Sequence, residues 1–191
     1  MVKGIDEALQ VAAAARAREQ QMFQTGFQYH SLPLYKRTAN MIARGDVGDV
    51  AAVQCQWNRN GSWRRPVPDP KWERQINWRM YREYSGELVA ELSAHQMDFC
   101  NTVLGNDLQR IQGAGGIDYW DDGRETYDNV HVVCRYRSGV TATFTSLTSN
   151  ADNRQPESNV RTGARAAIMV QMAIDAMDNH TVVDWRPEFD T

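Results

Sequence analysis

Residues 84–104 read Y-S-G-E-L-V-A-E-L-S-A-H-Q-M-D-F-C-N-T-V-L, and the rest of the chain is interpreted from this stretch. Apolar residues recur at helical spacing after a small Ser-Gly pair, which predicts one buried helix. Glu91 and His95 are four positions apart and therefore lie on one face, with Asp98 near that face. Burying two acids and an imidazole is unfavourable unless they are paired. They therefore form either a satisfied structural network or a site that handles protons.

Length and composition limit the class of protein. The 191 residues are 42% hydrophobic and 24% charged, which is typical of a globular protein with a packed core. The net charge of −3 gives no electrostatic reason to expect a nucleic acid or a membrane as partner. No apolar run approaches the roughly 20 residues of a membrane span. No signal peptide opens the sequence, which favours the cytoplasm; the periplasm stays open if an upstream signal has been lost.

The periodicities predict an α+β fold with an open, largely antiparallel sheet and helices packed on one face. Turn sequences at residues 121–124 and at Ser138-Gly139 make the last three strands antiparallel neighbours. Residues 1–191 are expected to form a single domain. The predicted helices cover residues 5–20, 32–44, 84–104 and 164–177, and the predicted strands cover residues 22–29, 51–60, 108–119, 127–137 and 139–148.

Residues 61–82 form a loop without periodicity, in which tryptophans and arginines alternate with prolines. A loop of this size inside a compact domain is usually functional or disordered, and the tryptophans favour order. Aromatic faces stack on sugar rings or bases, and guanidinium groups bind carboxylate or phosphate. From Trp57 to Tyr84 there are seven basic and three acidic residues. A ligand-binding surface and a loop that merely packs over the sheet both stay open.

Glu91 and His95 have the spacing of metal ligands, but H-E-x-x-H is absent and no third ligand is indicated, so no metal site is predicted. Acid–base chemistry is the better functional interpretation, because imidazole exchanges protons near neutral pH and a carboxylate can orient it. The alternative is a satisfied network in the core. The glycine cluster at residues 113–116 lies in strand-like sequence without a following helix, so no nucleotide site is predicted.

Several motifs, in order, resemble one family. The segment at residues 85–98 resembles the G-G-x-L-x-D/E-x-x-x-H-x-x-D helix of the glucose–fructose oxidoreductase / inositol dehydrogenase family, Gfo/Idh/MocA, with Glu87 in place of the second glycine. I-A-R-G-D-V-G-D-V at residues 42–50 resembles its I-x-x-G-x-I-G-x-V turn. The similarity runs from about residue 5 to residue 150. Further matches are G-F-Q-Y-H-S-L-P-L-Y at 26–35, N-W-R-M-Y at 77–81 and G-G-I-D-Y-W-D-D-G-R-E-T-Y-D-N-V at 115–130.

The resemblance implies a Rossmann domain that holds NAD or NADP, a C-terminal α+β domain, and a substrate between the two. This sequence has no Rossmann domain and no E-K-P motif with the family's catalytic lysine, so no cofactor is expected to bind the chain alone. The family's catalytic histidine falls on His95 and its partner acid on Glu91. The residues predicted to contact substrate are Trp78, Arg79, Tyr81 and Asp98.

The resemblance therefore predicts the C-terminal substrate-binding and oligomerisation domain of an NAD(P)-dependent sugar or polyol oxidoreductase, inactive without its cofactor domain. His95 would accept the hydroxyl proton as hydride leaves, and Glu91 would orient His95. Apolar residues point to both faces of the predicted strands, as at Val132 and Val133. Since helices cover only one face, this predicts a homo-oligomer formed through the outer sheet face. The alternative is a non-catalytic carbohydrate-binding or dimerisation module. Nucleic-acid binding through the tryptophan- and arginine-rich loop is disfavoured by the negative net charge.

Overall fold

The computed structural model describes residues 2–149 and 160–187. The chain divides into two compact units, Met1–Ala151 and Asp152–Thr191, and each is described by itself. The second unit contains helix α5, Val160–Asp178. The prediction of a single domain over residues 1–191 stays a prediction.

The first unit contains helices α1 (Ile5–Arg16), α2 (Pro33–Ala43), α3 (Glu73–Ile76) and α4 (Ala94–Leu104), and strands β1 (Ala52–Asn58), β2 (Leu108–Gly116), β3 (Asn129–Tyr136) and β4 (Thr141–Leu147).

The four strands form one open sheet in the order β1-β4-β3-β2. Strands β2, β3 and β4 pair antiparallel, as the short turns predict, and β1 pairs parallel with β4. A parallel neighbour needs a long crossover, which the chain between β1 and β4 supplies. The predicted α+β fold with a largely antiparallel sheet is confirmed.

The core lies between α4 and the inner face of the sheet. Alternate residues of β3 and β4 are buried, so that Val132 and Phe144 stand opposite each other beneath Cys100 of α4. Helix α2 packs on α4 from the other side. Burial of side chains of this size contributes about 1.5–3 kcal/mol each, which makes this layer the main source of stability. The sheet therefore fixes the position of α4.

The turn between β2 and β3 is organised by one buried carboxylate. Asp128 is 0% exposed. It accepts hydrogen bonds from the backbone N–H groups of Tyr119 at 2.8 Å and of Trp120 at 2.9 Å, and from Nδ2 of Asn129 at 2.9 Å. Burial raises the pKa of Asp128, but these hydrogen bonds, with that from Asp118, lower the pKa below its ordinary value. The predicted strand 108–119 ends at Gly116 because the following amides bond this carboxylate instead of a strand.

The strand expected at residues 22–29 is absent, and that prediction was wrong. A turn of 3-10 helix occupies Gln28–Ser31, and the residues before it have no regular structure. Met22 is 94% exposed and Phe23 is 63% exposed, because no neighbouring strand pairs with this segment within residues 2–149. An alternating pattern forms a strand only where a partner satisfies its backbone.

The predicted buried helix at residues 84–104 begins later than expected and is not uniform. A π turn at Val89–Ser93 leads directly into α4. Glu87, just before it, has a φ of 63°, in the left-handed region that favours glycine. Gly86 is required, since a Cβ there would lie 2.5 Å from Cβ of Ala90. Among the described residues, no helix is long and apolar enough to cross a membrane.

Candidate functional site

The π turn and α4 bring Glu91 and His95 to the same cleft. A π turn holds one residue more than an α-helical turn and is frequent at functional sites. Here it contains Glu91 and ends two residues before His95, and both side chains line the cleft described below. The four-residue spacing correctly predicts that Glu91 and His95 lie near each other. It does not predict the π turn that contains Glu91.

Three aromatic rings enclose the imidazole of His95. The ring centroids of Phe27, Tyr29 and Trp57 lie 5.6, 5.3 and 5.5 Å from that of His95, in edge-on or tilted geometry. Nδ1 of His95 is buried and has no hydrogen-bond partner within the described part of the chain. A buried polar atom without a partner is unfavourable and rare in native proteins. Packing against the three aromatic rings therefore holds the imidazole, and its Nδ1 makes no hydrogen bond within the described residues.

The cleft beside His95 has a volume of about 580 Å³, within the range of small-molecule sites. Its walls come from β1, the loop at residues 61–82 and the π turn. Tryptophan faces and guanidinium groups dominate these walls. The lining residues are Gln28, Trp57, Arg59, Trp63, Arg64, Arg65, Arg79, Glu91, Leu92 and His95.

Glu91 is paired with Arg79 rather than with His95. Nε of Arg79 donates to Oε2 of Glu91 at 2.9 Å, and both side chains are partly buried. The Arg79 guanidinium also stacks on Trp78, 4.3 Å from the ring centroid, and lies 5.9 Å from that of Trp63. Stacked and ion-paired, the guanidinium is held in one position. Arg79 therefore fixes the Glu91 carboxylate at the wall of the cleft.

The loop at residues 61–82 is ordered because its polar groups bond the β2–β3 turn and one another. Arg64 bonds Glu73 and Asp122, and Arg124 donates through Nη2 to Asp122 at 2.8 Å. The Arg124 guanidinium, ahead of that of Arg64, holds the pKa of Asp122 below its usual value against the effect of burial. Asn77 donates to the carbonyl of Arg65 at 3.0 Å. These bonds make the loop a rigid wall.

Trp63 stands in this wall in a strained conformation. Its φ is 63°, a region that costs a residue with a Cβ about 1–2 kcal/mol. The strain is sustained locally, since Nη2 of Arg124 donates to the carbonyl of Ser62 at 3.0 Å. Strained backbone tends to occur at ligand sites. Here it places the Trp63 side chain between the cleft and the cluster of Leu88, Leu92 and Val130.

The structure separates the other predicted substrate residues from the cleft. Tyr81 is 9% exposed, and its hydroxyl donates to Oε1 of Glu73 at 2.9 Å. Burial, and then this carboxylate, raise the pKa of Tyr81. Trp78 lies beneath Arg79 and does not line the cleft. Both residues support the wall from behind.

Asp98 lies beside a second cavity of about 250 Å³ between α2 and α4. Its Oδ2 is 2.5 Å from Nε2 of His30. Tyr29, stacked on Tyr35 at 4.8 Å, lines this second cavity and also contacts His95. The three polar residues of the helix motif are thus not one cluster: Glu91 and His95 share the cleft and Asp98 does not.

The cleft also contains residues that the sequence did not single out. Trp57, on the inner face of β1, and Arg59, just after that strand, face the same cavity as Arg64 and Arg65 from the loop. The signal available in the sequence was the excess of basic residues around the tryptophans. It could not show which side chains point inward, because the loop has no period. No cluster of metal-ligating side chains occurs among the residues that the structure describes.

Comparison with known families identifies the fold. Residues 35–168 match the family profile described as the GFO/IDH/MocA C-terminal domain. The chain belongs to this family. The profile covers α2, the sheet and α4, and therefore every element that builds the cleft apart from the segment with Phe27 and Tyr29.

Individual relatives agree with this assignment to the GFO/IDH/MocA C-terminal domain family. YteT of Bacillus subtilis (strain 168), which bears the name of an oxidoreductase, is 25% identical over 125 residues, covering 65% of this chain and 27% of YteT. The structure of an inositol dehydrogenase homologue from Azotobacter vinelandii with NADH and myo-inositol aligns with a TM-score of 0.62 at 19% identity, covering 80% of this chain and 37% of that one.

A third similar structure is GenD2 from gentamicin A biosynthesis in complex with NAD. It aligns with a TM-score of 0.63 at 18% identity, over 80% of this chain and 40% of GenD2. The two structural likenesses establish the fold. The chain spans less than half the length of each of these three relatives.

Proposed function

We propose that this chain is the substrate-binding and oligomerisation domain of an NAD(P)-dependent oxidoreductase that acts on a sugar or polyol hydroxyl. The supporting observation is His95, which lines a cleft walled by tryptophan faces and guanidinium groups. Sugar rings stack on such faces, and an imidazole at the wall of the cleft can exchange a proton with what binds there. Membership of the GFO/IDH/MocA family agrees with this chemistry.

In this proposal the chain's own residues bind the substrate and receive its proton. Trp57 and Trp63 hold the ring of the substrate, and the reacting hydroxyl points to His95. His95 accepts the hydroxyl proton as the carbon is oxidised. The aromatic rings around His95 limit the motion of the imidazole and keep water away from it. Glu91, fixed by Arg79, bonds a neighbouring hydroxyl.

The nicotinamide cofactor, when bound, accepts the hydride. Within residues 2–149 and 160–187, no glycine-rich turn opens a helix after a strand, which is the arrangement that cradles a dinucleotide's phosphates. The residues present therefore do not fit the cofactor by themselves. In the proposal a separate Rossmann domain carries it, and the 191-residue chain alone is inactive.

Self-association through the outer face of the sheet is part of the proposal. This face has no helix over it within the described first unit, and it is flat and half-buried to exposed. Its centre combines Val133 with Thr143 and Thr145 of β4, and Gln54 and Gln56 of β1 flank it. Sedimentation at high protein concentration should show a dimer or larger species, and Thr143→Lys should dissociate it. A monomer at all concentrations would contradict this part.

The second candidate is a carbohydrate-binding module without catalysis. It is favoured by one observation: tryptophan faces and guanidinium groups line the cleft, and these groups bind a sugar whether or not a reaction follows. The two candidates make different predictions about chemistry and the same prediction about binding.

The deciding experiment joins the chain to a dinucleotide-binding domain of the same family and measures NADH or NADPH formation with a panel of sugars, sugar acids and polyols. Turnover that depends on His95 supports the oxidoreductase. The opposite result is a correctly folded fusion that binds NAD(P) and binds a carbohydrate saturably, but gives no turnover with any member of the panel. That result supports the module and contradicts the enzyme.

A further inference from the structure

We propose that the cleft beside His95 takes an acidic carbohydrate, whose anionic group is bound by Arg59 and Arg65 while its ring lies against Trp57 and Trp63. The inference rests on the proposed carbohydrate function and adds the charge of the substrate. The relevant chemistry is a sugar that bears a carboxylate or a phosphate ester.

The charges that line the cleft do not balance. Four guanidinium groups and one carboxylate face it. Arg79 is neutralised by Glu91, and Arg64 is bonded to two carboxylates from outside the cleft. Arg59 and Arg65 have no acidic partner in the part of the chain that the structure describes. Two positive charges are therefore left for a ligand.

Both of these arginines project from a backbone that is fixed. The N–H of Arg59 donates to the carbonyl of Leu147 at 2.7 Å, which prolongs the pairing of β1 with β4. The N–H of Arg65 donates to Oδ1 of Asn77 at 2.7 Å, and Nδ2 of Asn77, a residue that is 2% exposed, donates back to the carbonyl of Arg65. The guanidinium groups take part in none of these bonds. The fold thus positions two free cations at the same cleft.

An anion fits this arrangement better than a neutral polyol. Two guanidinium groups at one cavity repel each other, and a shared carboxylate or phosphate converts that repulsion into charge-assisted hydrogen bonds. Such bonds are about twice as strong as those to neutral groups. Arginine is also the side chain suited to planar, bidentate binding of these anions. Exposed arginines on a convex surface would be solvated and would carry no such implication.

The aromatic walls place the anion next to a ring. The Arg59 guanidinium lies 5.6 Å from the ring centroid of Trp57, and Trp57 in turn contacts His95. A sugar stacked on Trp57 therefore has its acidic substituent near Arg59 and a hydroxyl near the imidazole. An inorganic anion would bind the arginines without contacting Trp57. Contact with Trp57 therefore distinguishes a bound sugar acid from a bound free phosphate.

The test measures binding to the 191-residue chain by calorimetry and by quenching of tryptophan fluorescence. The probes are glucuronate, glucose 6-phosphate, glucose and inorganic pyrophosphate, each at low and high salt. We expect at least one of the two acidic sugars to bind about tenfold or more tightly than glucose, with a preference that falls as salt rises. Arg59→Gln and Arg65→Gln should each lower the affinity for the acidic sugar more than the affinity for glucose, and so reduce that preference.

A matched control is Arg37→Gln, because Arg37 is exposed on α2 and lines neither cavity. It should alter none of these affinities. Arg59 and Arg65 are exposed, so their replacement should leave the circular dichroism spectrum and the Tm unchanged.

Each outcome is decisive. Equal affinity for glucose and both acidic sugars, or a preference that survives Arg59→Gln and Arg65→Gln, overturns the inference and leaves the proposed carbohydrate function intact. Pyrophosphate binding more tightly than both sugars through the same arginines also overturns it. Failure of all three sugars to bind contradicts the inference, whereas the proposed function is decided by the turnover of the chain joined to a dinucleotide-binding domain.

Discussion

Two polar regions of this domain differ in whether their polar groups have partners within the chain. Around Asp128, buried oxygen atoms meet backbone N–H groups and an amide in a closed set of hydrogen bonds. Around His95, a buried ring nitrogen has no partner in the described residues, and two arginines at the same cleft have no acid. The first region is complete without a ligand. The second is left open by the described residues, and in the proposal a ligand completes it.

The difference separates stability from function. A closed network loses free energy of unfolding when one member is removed, because the other groups stay buried without partners. An open site has little stability to lose, and its residues act on what enters. Replacing Asp128 should therefore affect folding, and replacing His95 should affect turnover. The predictions below test this contrast, from the largest expected effect to the smallest.

Replacing His95 with Ala should have the largest effect. In the enzyme completed with its cofactor domain, turnover should fall by about 10²–10⁴-fold, as for loss of a general base, while the Tm changes little. The matched control is His30→Ala, which removes an imidazole that is bonded to Asp98 at the second cavity. A lower Tm with unchanged turnover per folded His95→Ala molecule would mean that the imidazole only supports packing.

Asp128→Asn should act in the opposite way. It weakens several hydrogen bonds to a buried charge, so the free energy of unfolding should fall by about 2–3 kcal/mol. The exposed neighbour Asp121 provides the control, and Asp121→Asn should change stability by less than about 0.5 kcal/mol. Chemical denaturation measures both. If Asp128→Asn kept its stability but had reduced turnover, the β2–β3 turn would take part in function and the contrast between the two regions would be wrong.

Lowering the pH should also test the role of Asp128 in stability, because acid protonates its carboxylate. The pKa of Asp128 is lowered in the fold, so its contribution to stability is fully present above the unfolded pKa of about 3.9 and is lost as the pH falls through the lower, folded pKa. Unfolding measured from pH 5 to pH 3 should therefore show a steeper loss for the wild-type chain than for Asp128→Asn. Parallel curves would contradict the assignment.

Glu87, two residues before the π turn at Val89–Ser93, offers a smaller test. Its φ of 63° is strained for glutamate, and its carboxylate also pairs with Arg82 at 3.0 Å. Glu87→Ala removes the ion pair and keeps the strain, and Glu87→Gly removes both. The glycine variant should therefore be about 1 kcal/mol more stable than the alanine variant. Equal stability of the two would show that the backbone is not strained there.

Glu91 should give the smallest change in stability. Its pair with Arg79 is only partly buried, so Glu91→Gln should lower the free energy of unfolding by about 1 kcal/mol or less. Turnover should fall less than in His95→Ala. A double-mutant cycle with Arg79→Gln should show coupling between the two. No coupling, together with a shifted pH–rate profile for Glu91→Gln, would instead indicate that Glu91 acts directly on His95.

The parts of the fold that depend on local periodicity were predictable from sequence. The alternation of β3 and β4 and the helical spacing around His95 gave the sheet and the helix on it, because one buried face repeats at a fixed period. The segment at residues 22–29 shows the limit: it alternates, but a strand also requires a partner, and period alone does not supply one.

The arrangement of the site was predictable only in part. Glu91 and His95 were found because they are four residues apart on one helix. The Arg79–Glu91 pair and the His30–Asp98 pair join segments whose distance is set by tertiary packing, so spacing could not reveal them. The inward direction of Arg59 and Arg65 depends on Leu147 and Asn77, which hold the backbone from elsewhere in the fold.

The π turn at Val89–Ser93 has a consequence for how the chain can change in length. A π turn is an α-helix with one residue inserted, so deleting a residue there restores ordinary helical geometry. Helix α4 beyond the turn would stay packed on the sheet, because Cys100 belongs to the core cluster. Everything before the turn would advance by one helical position, and the loop at residues 61–82 would be drawn toward His95. Insertion or loss of a single residue at this point can therefore resize the cleft without unfolding the sheet beneath it.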